Sequence, residues 1–120
     1  MATRRIPAYT DGAFDLYRAE ERAIPGTDAA RTVLVNQHMR IWYHEVSVFD
    51  TLRTAMQQAG REVTMKIRIP QYRLIDTRCY VKIEGTWHRV FNSAQILRDG
   101  FRETELTLVA PETMYPEVDE

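Results

Sequence analysis

The chain has 120 residues, of which 44% are hydrophobic and 28% are charged, and its formal net charge is −1. This length accommodates one domain, and the apolar fraction is too high for general disorder. The near-zero charge gives no overall attraction to nucleic acid or to an anionic membrane. A single cysteine excludes a disulfide within the chain, and no apolar run approaches the roughly 18 residues that span a bilayer. We therefore expect one soluble domain over residues 1–120, made inside the cell.

Arginine predominates among the cationic residues, with fourteen arginines and two lysines. Arginine favours ion pairs across interfaces, although a GC-rich genome produces the same bias. The two ends, residues 1–9 and 111–120, are predicted to be extended arms, and the second contains two prolines and four acidic residues. Such arms either fray in solution or order on neighbouring subunits.

The first predicted elements are a short strand at residues 12–18 and a long, aromatic-rich strand at residues 33–46. A short helix follows, because Ser47 is a good N-cap, Asp50 can complete a weak capping box and Gly60 can end the helix. Between these residues, apolar side chains recur every three or four positions and form one stripe. The members of this stripe are Phe49, Leu52, Met56 and Ala59.

Four strands are predicted after the helix. Residues 63–69 alternate between apolar and polar, and Pro70 ends that strand. Residues 79–83 and 86–91 form a hairpin around Glu84-Gly85, and residues 105–110 form the last strand. Because one short helix cannot cover both faces of a sheet, we expect a mainly β (α+β) fold. The predicted architecture is a small curled antiparallel sheet or barrel of about six strands, with the helix inserted between strands 2 and 3.

The two-residue turn fixes the register of the predicted hairpin. Ile83 then lies opposite Thr86, Val81 opposite His88, and Cys79 opposite Val90, on an apolar face. The other face pairs Lys82 with Trp87, Tyr80 with Arg89, and Arg78 with Phe91. Three aromatic side chains therefore alternate with three cations on that face.

Nothing in the sequence predicts catalysis, a metal or a cofactor. His38, His44 and His88 are isolated from one another at spacings that do not suit a metal site. His88 is expected to be a hydrogen-bonded core histidine, and Cys79 a small buried hydrophobe. The glycines are scattered singly, so no phosphate-binding loop is present, and no acidic pair suggests acid–base catalysis.

The aromatic and cationic side chains of the hairpin allow two interpretations. As in OB-like sheets, they could stack on the bases of a single strand while neutralising its phosphates. Alternatively, they form cross-strand cation–π pairs on a surface that meets another subunit. The neutral chain favours the second, because interface cores are enriched in aromatic residues and arginine. The predicted interface residues are Arg78, Tyr80, Lys82, Trp87, Arg89 and Phe91.

Several segments, in their order and spacing, resemble the head closure (head–tail connector) proteins of tailed bacteriophages. They are DGAFDLYR at 11–18, IWYHE at 41–45, the helix with TA at 54–55, VTMKIRIP at 63–70, EGTWHRV at 84–90 and TELTL at 104–108. The resemblance covers roughly residues 11–110. One departure is His88, which stands where the family usually has a tyrosine.

The resemblance implies a structural virion protein of the neck, assembled from the host cytoplasm. In this family, a homo-oligomeric ring, taken as a dodecamer, docks below the portal or its adaptor. It narrows the DNA exit channel, contacts packaged DNA without sequence specificity and presents a platform to the tail terminator or other tail proteins. A tail-terminator or tail-completion subunit is the alternative within the neck. By position, the channel-facing candidates are Asp50, Arg53, Gln57 and Gln58.

Overall fold

The computed structural model describes residues 8–46 and 63–118, and these residues form seven β-strands and no helix. The strands are β1 (Gly12–Ala23), β2 (Ala30–Val46), β3 (Val63–Pro70), β4 (Cys79–Ile83), β5 (Thr86–Arg98), β6 (Phe101–Val109) and β7 (Glu117–Val118). The predicted mainly β class is therefore confirmed. The helix predicted at residues 47–60 lies outside the described residues.

Six of the strands form a closed ring, which we call the β-ring. Its order is β1-β4-β5-β6-β3-β2, and β2 returns to pair with β1. All six pairings are antiparallel, whereas β7 adds to β2 in parallel. Each of the six strands therefore has a partner on both sides over part of its length, and none of them is an edge strand throughout.

The interior of the β-ring is filled by apolar side chains from every one of its strands. Alternation along each strand directs them inward, because successive side chains point to opposite faces. The loop between β3 and β4 adds Ile75, which is 2% exposed. The fully buried members from the strands are Phe14, Leu16, Ile67, Ile69, Cys79, Val81, Val90, Leu106 and Leu108.

Two further hairpins, β1–β2 and β5–β6, contain strands that are longer than the sequence predicted. β1 continues to Ala23, and its pairing with β4 ends at Arg18, so residues 20–23 have β2 as their strand partner. β5 continues to Arg98, and β6 begins at Phe101. The last residues of this second hairpin lie beyond the end of β3, which pairs with β6 only as far as Glu103.

A buried carboxylate lies at the base of the β5–β6 hairpin. Glu103 has no exposed surface, and its two oxygens accept hydrogen bonds from Arg98 Nε at 3.0 Å and from Tyr9 Oη at 2.8 Å. Burial and the bond to Glu103 raise the pKa of Tyr9 to about 12. Tyr9 is thus tied to the fold, although the sequence assigned it to an arm.

Candidate interaction surface

The predicted hairpin of β4 and β5 has the register expected from its turn. Tyr80 pairs with Arg89, Lys82 pairs with Trp87, and Val81 pairs with His88 on the opposite side of the sheet. Glu84 and Gly85 both have positive φ values, 49° and 82°, as a type I′ turn requires. Tyr80, Lys82, Trp87 and Arg89 therefore share the outer side of the β-ring, and we call these four residues the aromatic face.

The third predicted pair, Arg78 and Phe91, is not part of the aromatic face. Arg78 precedes β4 and forms an ion pair with Asp76 at 3.5 Å. Phe91 lies at a register shift between Val90 and Asn92. Its ring packs instead against Val63 and Val109 in a separate cluster. The bulge breaks the alternation on which the prediction depended, because an extra residue turns the following side chains.

The aromatic face is held together by packing with β1. The rings of Tyr17 and Trp87 meet edge to face, with centroids 4.7 Å apart at an interplanar angle of 69°. Lys82 Nζ lies 5.2 Å from the centroid of Trp87, within the range of a cation–π interaction. Trp87 is therefore engaged within the subunit by an aromatic ring and by a cation.

Tyr80, one of the predicted interface residues, is buried within the chain, with 5% of its surface exposed. Residues 111–118, the C-terminal segment, lie across it. The Tyr115 ring packs edge-on against Tyr80 at 6.3 Å, and Tyr80 Oη donates a hydrogen bond to the Thr113 carbonyl at 3.4 Å. The sequence did not predict this cover, because it comes from a part of the chain more than thirty residues away. Part of the expected interface is thus already occupied within the subunit.

The C-terminal segment is also joined to β2 and β4. Leu34 N donates a hydrogen bond to the Pro116 carbonyl at 2.8 Å, and Glu117 and Val118 pair with Leu34 and Val35. The Glu117 carboxylate lies 3.6 Å from Lys82 Nζ. An extended peptide that contributes backbone hydrogen bonds to a strand is the geometry of β-strand addition.

A cavity of about 270 Å³ remains between the C-terminal segment and the aromatic face. Arg78, Arg89 and Glu112 contribute charged groups to its wall, and Tyr80 and Tyr115 contribute aromatic ones. A second cavity of about 420 Å³ lies beside the turn of the β1–β2 hairpin. Ile24, Pro25, Val33 and Val118 give it a largely apolar lining.

Exposed apolar side chains lie at both hairpin turns. Leu97, beside the β5–β6 turn, is 69% exposed, and Ile24, at the β1–β2 turn, is 36% exposed. Trp42, Leu74 and Met114 are also large and exposed. Sequence reasoning did not identify these residues, although Asp99-Gly100, a strong hairpin signal, marks the tip beside Leu97.

His88 and Cys79 have the environments that the sequence predicted. His88 is 8% exposed, and its Nδ1 shares a 2.8 Å hydrogen bond with Thr64 Oγ1. Burial lowers the pKa of His88 and raises that of the Cys79 thiol, which has no exposed surface. His44 Nδ1 lies 3.0 Å from a carboxylate oxygen of Asp11, and His38 is exposed with a φ of 56°.

Two features are absent from the described part of the chain, residues 8–46 and 63–118. No group of three His, Cys, Asp or Glu side chains is arranged to hold a metal ion. No helix long and apolar enough to cross a membrane is found in it. The channel-facing candidates Asp50, Arg53, Gln57 and Gln58 lie outside these ranges.

Comparison with known proteins adds no family assignment. No protein-family model matches the chain, and no curated protein matches it significantly. The features of the chain that bear on its function are therefore the fold, the aromatic face, the C-terminal segment and the exposed hairpin tips.

Proposed function

We propose that this chain is a structural subunit at the head–tail interface of a tailed bacteriophage. Copies of it form a subunit ring that narrows the DNA exit channel below the portal or adaptor and presents a platform to the tail. The resemblance of residues 11–110 to head closure proteins motivates the proposal. One structural observation carries it: both long hairpins reach past their neighbouring strands and have exposed apolar side chains at their ends.

The hairpins suit contacts between subunits. Residues 97–102 pair only with each other, and Leu97 is 69% exposed at this tip. Ile24 gives the β1–β2 turn a second apolar group. Copies in a cyclic ring meet through two different patches of each subunit, so a projecting tip and a receiving surface are what closure requires. Each contact is small, but ring closure makes the contacts act together.

The aromatic face supports this role better than it supports binding of single-stranded nucleic acid. Base stacking requires accessible aromatic rings. Tyr80 is 5% exposed beneath Tyr115, and Trp87 already packs against Tyr17. A position on the tail side of the joint, as a tail terminator or completion subunit, remains the alternative, since a subunit ring there uses the same hairpins.

Complementation of a phage that lacks this gene product tests the proposal. We expect lysates without the protein to contain DNA-filled heads and separate tails, and the wild-type chain to restore infectious particles. Leu97→Asp places a charge on the exposed hairpin tip and should restore few. Thr86→Asp adds the same charge at an exposed position of the shorter hairpin and should restore them fully.

Two results would contradict the proposal. Tailed, DNA-retaining particles formed without the protein would exclude a required neck role. Equal complementation by Leu97→Asp and Thr86→Asp would exclude the hairpin tip as a subunit contact.

A further inference from the structure

The C-terminal segment occupies a groove on the outside of the β-ring, and three of its contacts define what the groove recognises. Tyr115 packs on Tyr80, the Pro116 carbonyl accepts a hydrogen bond from Leu34, and Glu117 faces Lys82. The first and third contacts are with β4, and the second is with β2. The groove therefore recognises an aromatic ring, an extended backbone and a carboxylate in sequence order.

Burial is distributed unequally between the groove and its occupant. In the groove, Leu34 has no exposed surface and Tyr80 is 5% exposed. In the segment, Met114 is 48% exposed, and Thr113, Pro116 and Glu117 are also exposed. Removal of the segment would uncover apolar groove residues, whereas the segment itself buries little. An empty groove would therefore expose apolar surface to water, whereas only a few contacts hold the segment in place.

Charge and backbone stiffness both match the segment to the groove. Residues 111–120 contain four acidic residues and no basic one, and the groove presents Arg78, Lys82 and Arg89. Pro111 and Pro116 restrict the backbone to extended conformations. A peptide that is already extended loses less conformational entropy when it binds, whether the groove belongs to its own chain or to another.

We infer that this groove is a binding site for the C-terminal segment of a second copy of the chain, so that adjacent subunits exchange segments. Exchange replaces each contact by an identical one, so it requires no new recognition surface. In a subunit ring, the neighbour's segment is present at high effective concentration, which favours exchange. The inference rests on the proposed function only in placing the exchange between neighbours of a subunit ring.

Disulfide trapping with two full-length variants tests exchange directly. Val35 and Val118 are partners in the β2–β7 pairing, and neighbouring strands lie about 4.8 Å apart, within the Cα separation of a disulfide. One chain carries Val35→Cys in its groove, and an affinity-tagged chain carries Val118→Cys in its segment. After the two are mixed and oxidised, we expect a heterodimer of distinct mass as the main cross-linked product. Each variant alone, and the wild type with its buried Cys79, gives the background.

One further substitution serves as a matched control, because its effect depends on which chain carries it. Tyr115→Ala in the Val35→Cys chain weakens the resident segment and should raise the heterodimer yield several-fold. The same substitution in the Val118→Cys chain weakens the incoming segment and should lower the yield. A random collision between exposed thiols would respond equally to both changes.

A heterodimer yield no higher than background, or an equal response to the two placements of Tyr115→Ala, would overturn the inference. If Val35→Cys prevents folding, a fluorescent peptide of residues 111–120 is titrated into the full-length Tyr115→Ala chain instead. Saturable binding that weakens about tenfold when the peptide lacks its tyrosine ring supports exchange, and absence of binding overturns it. Both assays use purified protein without phage particles, so failure of the neck proposal would leave their result unchanged.

Discussion

His88 is a titratable side chain in the core of the β-ring, so the stability of the fold depends on pH through it. It lies opposite Val81, bonds to Thr64 and is 8% exposed. Burial disfavours the charged imidazolium and lowers the pKa of His88 below its ordinary value of 6.5. Because the unfolded chain takes up this proton more readily than the folded one, stability is lost as the pH falls below 6.5, until the folded pKa is reached.

Replacement of His88 by a residue that cannot titrate should remove this part of the pH dependence. We expect His88→Gln to lose less stability than the wild type between pH 7.5 and pH 5, as measured by urea unfolding at each pH. The comparison isolates His88, because His38 and His44 are unchanged in both proteins. Parallel pH profiles for the two proteins would contradict a buried, neutral His88.

Single-residue environments could be predicted where one strand pair determines them. His88 and Cys79 follow from the Glu84-Gly85 turn, because the turn fixes which side chains share the inner face. The burial of Tyr80 could not be predicted in this way. Its cover, Tyr115, comes from a proline-containing segment with no strand periodicity, and only the tertiary fold brings the two rings together.

At the scale of single elements, the two residues of the β4–β5 turn differ in how well they tolerate its backbone conformation. Both turn residues have positive φ, which Gly85 adopts without strain and Glu84 does not. A Cβ at Gly85 would meet nothing within 4 Å, so the effect of a substitution there reports backbone strain alone.

Substitutions in this turn should therefore change stability in opposite directions. Glu84→Asn should raise the free energy of unfolding by about 0.5 kcal/mol, because asparagine tolerates the left-handed region. Gly85→Ala should lower it by about 1 kcal/mol. Thermal or urea unfolding measures both, and equal effects of the two changes would show that the turn is not type I′ in solution.

The lengths of the hairpins were the least predictable feature of the elements. The sequence predicted the first strand only to Arg18, because residues 20–22 are all charged and lack apolar alternation. In the structure these residues pair with β2 in a partly exposed hairpin. Because no core lies against this part of the hairpin, its sequence shows no alternation of apolar and polar residues. The sequence predicted β5 only to Phe91, because Asn92 and Ser93 interrupt its apolar pattern, and the turn signal of Asp99-Gly100 was missed.

For the whole molecule, strand order and closure have a consequence for assembly. Each strand of the β-ring pairs with two others over part of its length, so in the proposed assembly we expect contacts through the hairpin tips, the groove and the C-terminal segment. The exposed Leu97 and Ile24 and the weakly buried C-terminal segment are the features on which the proposals depend, and Trp42 and Leu74 are exposed as well. The fold class could be predicted from the alternation of apolar and polar residues in the strands. The exposed tips could not, because they depend on how far each hairpin extends beyond the β-ring.

Binding to phage particles tests the central claim that the chain is a neck subunit. Purified protein is added to DNA-filled, tailless heads that lack it and, separately, to isolated tails, and both are imaged by negative-stain electron microscopy. We predict a ring of added density at the portal vertex of the heads, and attachment of tails once both components are combined. Density on isolated tails alone would assign the subunit to the tail side of the joint, and absence of binding to heads and tails alike would contradict the claim.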